Sequence, residues 1–317
     1  MRIFLQSEHC YPIEDGQGVG IATRHEPSGA PQRIHDLIAR GLGELGHEVF
    51  YFTEKGAQAP APRGVTLCRG LRTDVDVFHN VEVSGRPGIR TQHRVREVEQ
   101  APDHWVYVSQ SLARQYGSNR FVRNGLDPAD YIYSETKGDY LLFLSGMQGS
   151  FHHLKYRFKG LDVALALASW LGFKLLVAGT ARDPEILDTV IQMCREAGAV
   201  FLGDVRGKTK AEVLAGARGL LFPTQIHEGL PLVIIEALFS GTPVIASHHG
   251  PCPEVVTPDV GFVCHNREEY AAAIASLGTI HPRDCRAKAL RDFHYLGMAA
   301  AYVKEYHAEI ARCGGGS

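Results

Sequence analysis

The stretch Pro223-Thr224-Gln225-Ile226-His227-Glu228-Gly229-Leu230-Pro231-Leu232-Val233-Ile234-Ile235-Glu236-Ala237, continuing to Gly241-Thr242-Pro243-Val244-Ile245-Ala246, decides the fold. It reads as the end of a buried strand, a loop, a helix over Leu232–Phe239 and a second buried strand over Val244–Ser247. Short apolar runs without polar alternation belong in parallel strands covered on both faces. Working outward, the same unit recurs. Strands are predicted at Tyr140–Leu144, Lys174–Ala178, Val200–Leu202, Leu220–Pro223 and Gly261–Cys264. Helices are predicted between them over Leu161–Leu171, Pro184–Glu196 with Asp183 as N-cap, and Lys210–Ala217.

An earlier series precedes it. Met1–Gln6 and Glu48–Phe52 read as strands around a helix whose Ile34, Leu37, Ile38, Leu42 and Leu45 share one face. Pro31 suits its first turn and Gly46 its end. Further strands are expected at Val75–Phe78, Gly88–Thr91 and Val106–Ser109. Two series of alternating strands and helices imply an α/β protein of two Rossmann-like domains. The expected division is residues 1–135, residues 136–297, and a terminal helix over 298–313 packing back toward the first domain. Residues 314–317, Gly-Gly-Gly-Ser, read as a cloning remnant outside the fold. Ligands of such sheets bind beyond the carboxyl ends of the strands, so a cleft faced by both domains is the expected site.

Composition narrows the class. The chain has 317 residues, 33 Lys+Arg against 35 Asp+Glu, and 44% hydrophobic residues. That balance excludes a dedicated nucleic-acid binder and a disordered chain. Seven cysteines are scattered with no CxxC pair, which reads as reduced thiols in a cytoplasmic protein. The apolar stretch from Val163 to Gly179 changes period and is interrupted by Ser169 and Lys174. It reads as a helix and a strand rather than a membrane span.

Several motifs invite a function and compete with plainer readings. Asp15-Gly16-Gln17-Gly18-Val19-Gly20-Ile21 lacks the GxGxxG spacing of a dinucleotide site and reads as a loop. Ser28-Gly29-Ala30-Pro31 opens a helix, where N–H groups suit a phosphate or sugar hydroxyl, or simply start the helix. Asp74-Val75-Asp76 has a metal-binding pattern but runs straight into a strand, and no metal site is expected there. Glu236 stands out because it sits in an otherwise apolar helix. A buried carboxylate needs a partner, either a Lys or Arg from a neighbouring helix or a ligand diol.

These residues carry a resemblance. Glu228 and Glu236, framing G-L-P-L-V and followed by E-A-L-F-S-G-T-P-V-I-A, resemble the E-x7-E signature of retaining GT-B glycosyltransferases, family 4 above all. Asn124-Gly125-Leu126-Asp127, Phe158-Lys159-Gly160-Leu161-Asp162, Phe201-Leu202-Gly203-Asp204-Val205 and Pro253-Glu254-Val255-Val256 resemble further family segments in the expected order, as does Gly43–Val49. The resemblance implies GT-B architecture and a nucleotide-sugar donor held mainly by the second domain. Glu236 would take the ribose hydroxyls, Glu228 the transferred sugar, and the backbone from Gly229, Leu230 and Pro231 to Leu232 and Val233 the diphosphate. Lys159 would neutralise the leaving diphosphate, a charge that develops in the transition state. Side chains near Val205 would read the base. Arg90-Thr91-Gln92-His93 resembles the family's T-x-H, which would set His93 near the sugar, with Gly29 facing the donor.

Two departures matter. Met147 stands where the family has the second diphosphate cation, so Arg157, or else Lys155, is expected to replace it. Ser28-Gly29 stands where the family often has paired glycines. His79 and His227 are expected to be structural, and Arg86–Arg96 a solvated helix face rather than an acceptor surface. The function expected is a retaining, metal-independent glycosyltransferase of hexosyltransferase type, with no cofactor, nucleic acid or transmembrane segment. A non-catalytic nucleotide-sugar or glycan-binding protein, or an epimerase or phosphorylase-like enzyme, is the alternative.

Overall fold

The computed structural model describes residues 1–9, 11, 30–57, 59–98, 100–147, 159–181 and 183–314. The described chain divides into two compact units. One comprises the residues up to Asp127 together with those from Asp292 onward, and the other runs from Pro128 to Arg291. The division falls ahead of the boundary read near residue 136. The short 3-10 turn Pro128–Asp130 and Tyr131, stacked on Phe239 at 5.4 Å, already pack with the second unit. The chain likewise re-enters the first unit before residue 298, through the backbone pairing of Leu126 with Phe293 and Tyr295.

Unit 1 is a six-stranded parallel sheet of β1 (Arg2–Ser7), β2 (Glu48–Thr53), β3 (Val65–Cys68), β4 (Val77–His79), β5 (Gly88–Gln92) and β6 (Trp105–Tyr107), in the order β3-β2-β1-β4-β5-β6. Strand β1 is central because Ile3, Phe4 and Leu5 are fully buried between layers. Helix α1 (Ala30–Glu44) follows β1, and α2 (Gln110–Gln115), capped by Ser109, follows β6. The last helix of the chain (Tyr295–Gly314) packs on α1 and β5. Gly41 permits that contact, since a Cβ there would stand 2.8 Å from the Ala299 Cβ. Strand β3 was not anticipated. The segment from Gly88 to Gln92 is strand rather than helix face, so the expected basic helix across Arg86–Arg96 does not exist.

Unit 2 is a second six-stranded parallel sheet: β7 (Tyr140–Leu144), β8 (Lys174–Ala178), β9 (Val200–Gly203), β10 (Gly219–Phe222), β11 (Val244–Ser247) and β12 (Gly261–Cys264), ordered β12-β11-β10-β7-β8-β9. Helices α3 (Leu161–Leu171), α4 (Pro184–Glu196), α5 (Gly207–Gly216), α6 (Leu232–Phe239), α7 (Cys252–Val255), α8 (Arg267–Ser276) and α9 (Pro282–Asp292) connect or follow the strands, and α10 is the unit 1 helix Tyr295–Gly314. Asp183 caps α4, accepting from the Glu185 N–H at 3.0 Å. Helix α5 starts three residues ahead of the expected Lys210, with Arg206 at the N-cap making no side-chain cap bond. Among the described residues no helix is long and apolar enough to cross a membrane.

Both sheets reverse strand order once. In unit 1 the reversal lies between β1 and β4, in unit 2 between β7 and β10. Loops leaving such a pair diverge and open a crevice above the strand ends. Among the described candidates, Lys159 follows β7 and Glu228 follows β10, the two strands of the unit 2 reversal.

Candidate functional site

In unit 2, the loop ahead of α3 carries Lys159 and the loop after β10 carries Glu228. Lys159 Nζ lies 2.6 Å from Glu228 Oε1, both side chains being mostly buried. Thr224 Oγ1 adds a weaker donation to the same oxygen at 3.4 Å. Gly160 makes the arrangement possible. Its φ is +80°, and a Cβ there would stand 1.9 Å from the Pro223 carbonyl oxygen. The backbones beside Lys159 and before Glu228 are thereby pressed together.

Glu236, one turn into α6, has 5% of its side chain exposed and is held by Lys210 of α5. Lys210 Nζ donates to both carboxylate oxygens, at 2.8 and 2.7 Å, and the Tyr131 hydroxyl reaches Oε1 at 3.3 Å. The neighbouring-helix partner is therefore present, and a carboxylate has lone pairs enough to take a diol beside it. Helix α6 begins at Pro231, which supplies no side-chain cap. The first-turn N–H groups at Leu232 and Val233 lie in a half-exposed turn, behind the buried Gly229, Leu230 and Pro231. Such amides suit an anion. Val205 is half-buried just past β9.

Met147 is fully buried in the unit 2 core, where its backbone N–H donates to Thr180 O at 2.9 Å. It supplies packing, not charge. The expected substitutes Arg157 and Lys155 lie outside the described residues, as does Gly29. Beside the Lys159–Glu228 pair, a cavity of about 330 Å³ is lined by Val163 and Leu167 of α3, Thr224, Ser247, His248 and Arg267.

In unit 1, a cavity of about 450 Å³ opens above the strand reversal, lined by Ser7, Glu8, His35, Asn80, His93 and Arg94 among others. His93 is half-buried at the end of β5, and its Nε2 lies 3.1 Å from His35 Nε2. Burial, with Arg94 nearby, pushes its pKa down to about 3, so the ring is neutral. His35 in turn meets Ser7 Oγ at 2.7 Å and Asn80 Nδ2 at 3.1 Å. Ser7 Oγ also meets His9 Nδ1 at 2.7 Å, and His9 Nε2 meets Asp36 Oδ1 at 2.8 Å. Asn80 has φ +63°, a conformation that costs a non-glycine residue about 1 kcal/mol and concentrates at functional sites. Apart from His93, nothing in the sequence pattern signalled this array, because its members come from four separate segments.

Other candidates fall elsewhere. His79 is buried between Tyr306 and Thr91, its Nδ1 and Nε2 each 2.7 Å from a hydroxyl. Asp74 accepts from Arg2 and Arg72, and Asp76 from the Arg2 N–H. Among the described residues no group of three or more His, Cys, Asp or Glu is placed to hold a metal. Arg90, Arg94 and Arg96 line the unit 1 cavity.

Comparison with known proteins gives these geometries a context. Residues 140–279 match the family model described as glycosyl transferases group 1. A curated MMP alpha-(1->4)-mannosyltransferase of Mycolicibacterium hassiacum is 33% identical over 112 residues, 32% of this chain and 27% of that protein. The match thus spans about a quarter of that relative. The crystal structure of AviGT4, a glycosyltransferase involved in avilamycin A biosynthesis, superposes with TM-score 0.75 and 27% identity over 98% of each chain. The Anabaena protein HepE, solved in complex with UDP and glucose, superposes with TM-score 0.66 at 14% identity, over 97% of this chain and all of that one. The α/β fold with two parallel six-stranded sheets is that of GT-B glycosyltransferases.

Proposed function

From its resemblance to the group 1 glycosyltransferases, carried by residues 140–279 and by the fold of the whole chain, we propose that this protein transfers a sugar from a nucleoside-diphosphate donor. The observation that carries the reading is the Lys159–Glu228 pair at the strand reversal of unit 2, beside the uncapped start of α6. Departure of a nucleoside diphosphate builds negative charge on the leaving oxygen. A fixed ammonium and convergent N–H groups stabilise that charge more in the transition state than in the ground state. Glu236 takes the ribose diol, Glu228 a hydroxyl of the transferred sugar, and residues near Val205 the base. Transfer proceeds with retention, without a metal, and with a hexose as the moving group. His93 accepts from a sugar hydroxyl in unit 1. The acceptor is a small molecule or glycan, and the working place is the cytoplasm, in keeping with six free thiols among the described cysteines.

A panel of UDP-, GDP-, ADP- and dTDP-sugars tests this, first by thermal shift, because a bound donor stabilises the fold by mass action. Donor hydrolysis or transfer, with the product anomer read by NMR and turnover compared with and without chelator, follows. No shift and no turnover across the panel would end the reading. Burial of Met147 in place of a second cation favours one alternative, a sugar-nucleotide-binding protein without catalysis. Donor binding with no turnover across acceptors is its signature.

A further inference from the structure

We propose that Asp36, His9, Ser7 and His35 form a one-directional hydrogen-bond chain that holds His93 in its Nε2–H tautomer and leaves Nδ1 to accept from a sugar hydroxyl, which makes His35 a positioning residue. The functional half of this statement rests on the transferase reading; the tautomer half does not.

The direction is fixed at the Asn80 end, and the Asp36 end is compatible with it. At one end a carboxylate can only accept. Asp36 Oδ1 receives the Tyr51 hydroxyl at 2.7 Å and His9 Nε2 at 2.8 Å, so a His9 ring with a single proton carries it on Nε2 and offers Nδ1 as acceptor. Ser7 Oγ, 2.7 Å from that nitrogen, donates to it, which leaves its lone pairs for His35 Nδ1–H at 2.7 Å. His35 Nε2 is then an acceptor. At the other end, Asn80 Oδ1 receives the Thr91 N–H at 2.9 Å, which fixes the amide so that its NH2 faces His35 Nε2 at 3.1 Å. This again makes His35 Nε2 an acceptor. The two derivations meet without conflict.

His93 Nε2, 3.1 Å from that same acceptor, also donates, sharing the single lone pair of His35 Nε2 with the Asn80 amide as a three-centre bond. A neutral imidazole with Nε2–H has Nδ1 unprotonated, and the cavity it lines can offer Nδ1 only to a donor. A hydroxyl-bearing ligand fits and a carboxylate or phosphate oxygen does not. The charged groups around the ring agree with a neutral state. Arg94, Arg90 and Arg96 line the cavity with Glu8, and His35, His79 and His9 stand behind. Burial and the neighbouring histidines also hold His35 well below the usual histidine range, so the middle of the chain stays uncharged. The left-handed backbone of Asn80 is the local strain that keeps its amide aimed at both Thr91 and His35.

The tautomers are measured directly by long-range 1H–15N spectra of the uniformly 15N-labelled, ligand-free protein at pH 7, with His93 assigned by its disappearance in His93→Gln. The expected pattern is a protonated Nε2 and a bare Nδ1 on His93, with the reverse on His35. A protonated Nδ1 on His93, or an imidazolium, overturns the proposal whatever the protein's activity. Two variants test the positioning role. His35→Leu removes the acceptor, so His93 should become a tautomer mixture. Transfer should fall about 10-fold, the scale of one hydrogen bond to substrate, mostly in kcat. His35→Gln keeps an N–H for Ser7 and a carbonyl for His93, and should restore both tautomer and rate. Equal losses in the Leu and Gln variants with an unchanged His93 tautomer would refute the role. A wild-type protein with the expected tautomers but no transferase activity would sink the transferase reading while leaving the chain of hydrogen bonds intact.

Discussion

Replacing Glu236 with Gln separates what the fold asks of this residue from what a donor would ask. The carboxylate is 5% exposed and Lys210 bonds both of its oxygens. An amide of the same shape keeps one acceptor for the Lys210 ammonium but loses the ion pair and the second accepted bond, its NH2 being set against the cation. Charged hydrogen bonds contribute about 1.5–3 kcal/mol and neutral ones about 0.5–1.5. Lys210 retains 27% exposure, so water compensates part of the difference. The expected loss is about 1 kcal/mol of stability, a fall in Tm of roughly 3 °C by differential scanning calorimetry. Binding should suffer more. If the carboxylate receives both ribose hydroxyls, each weakened bond costs about 1 kcal/mol, and about 2 kcal/mol together means a Kd raised about 30-fold. Calorimetric titration with the nucleoside diphosphate selected by the donor panel reads this, and a 2′-deoxy analogue supplies the control. Wild type should discriminate against the analogue, and Glu236→Gln should not. A Kd within twofold of wild type would refute the ribose role and leave Glu236 a structural partner of Lys210 and Tyr131.

Lys159→Ala should lower turnover about 100-fold, while nucleoside diphosphate affinity falls less than 10-fold, because the ammonium acts on charge formed during the reaction. Equal losses in kcat and affinity would make it a simple binding residue. Gly160→Ala meets both a left-handed φ and the Pro223 carbonyl, and should cost about 3 kcal/mol or more by urea denaturation; an unchanged midpoint would deny the close approach. Burial lowers the pKa of His79 to about 3, so its stabilising neutral form is fully favoured above the unfolded value near 6.5 and is lost as pH falls toward 3. At pH 5 the loss is about 2 kcal/mol, and a His79→Gln variant should show a flatter decline in stability between pH 7 and 5. A slope identical to wild type would place the acid sensitivity elsewhere.

Residues with local rules behind them were legible before any coordinates. Helix α4 lies where Asp183, Pro184 and the apolar spacing put it, and α3 and α6 match their predicted ends because glycines or prolines punctuate them. Helix α5 was set late because Arg206 gives no capping signal and Gly207, with φ +50°, reads as a breaker. Strand β3 escaped notice since only Val65 of its four residues is buried, which leaves no apolar run to read. The donor-side residues were found through a compact motif. Lys210 as the partner of Glu236 was not, since the two are joined only by the packing of α5 on α6. The Ser7–His9–His35–Asp36–His93 array is further still from legibility, because lone polar residues on β1, α1 and β5 acquire meaning only when the sheet brings their ends together.

Helix α10 and its docking on α1 bear on how the chain is made. Unit 1 is discontinuous: its sheet and α1 come before unit 2, and the helix that covers them comes after it. During synthesis unit 2 is available as an unbroken stretch, so it can fold as soon as it is complete. Unit 1 must wait with the surface of α1 around Gly41 uncovered until residues 295–314 arrive. The nascent chain therefore carries that flank of α1 uncovered for the whole time taken to translate unit 2.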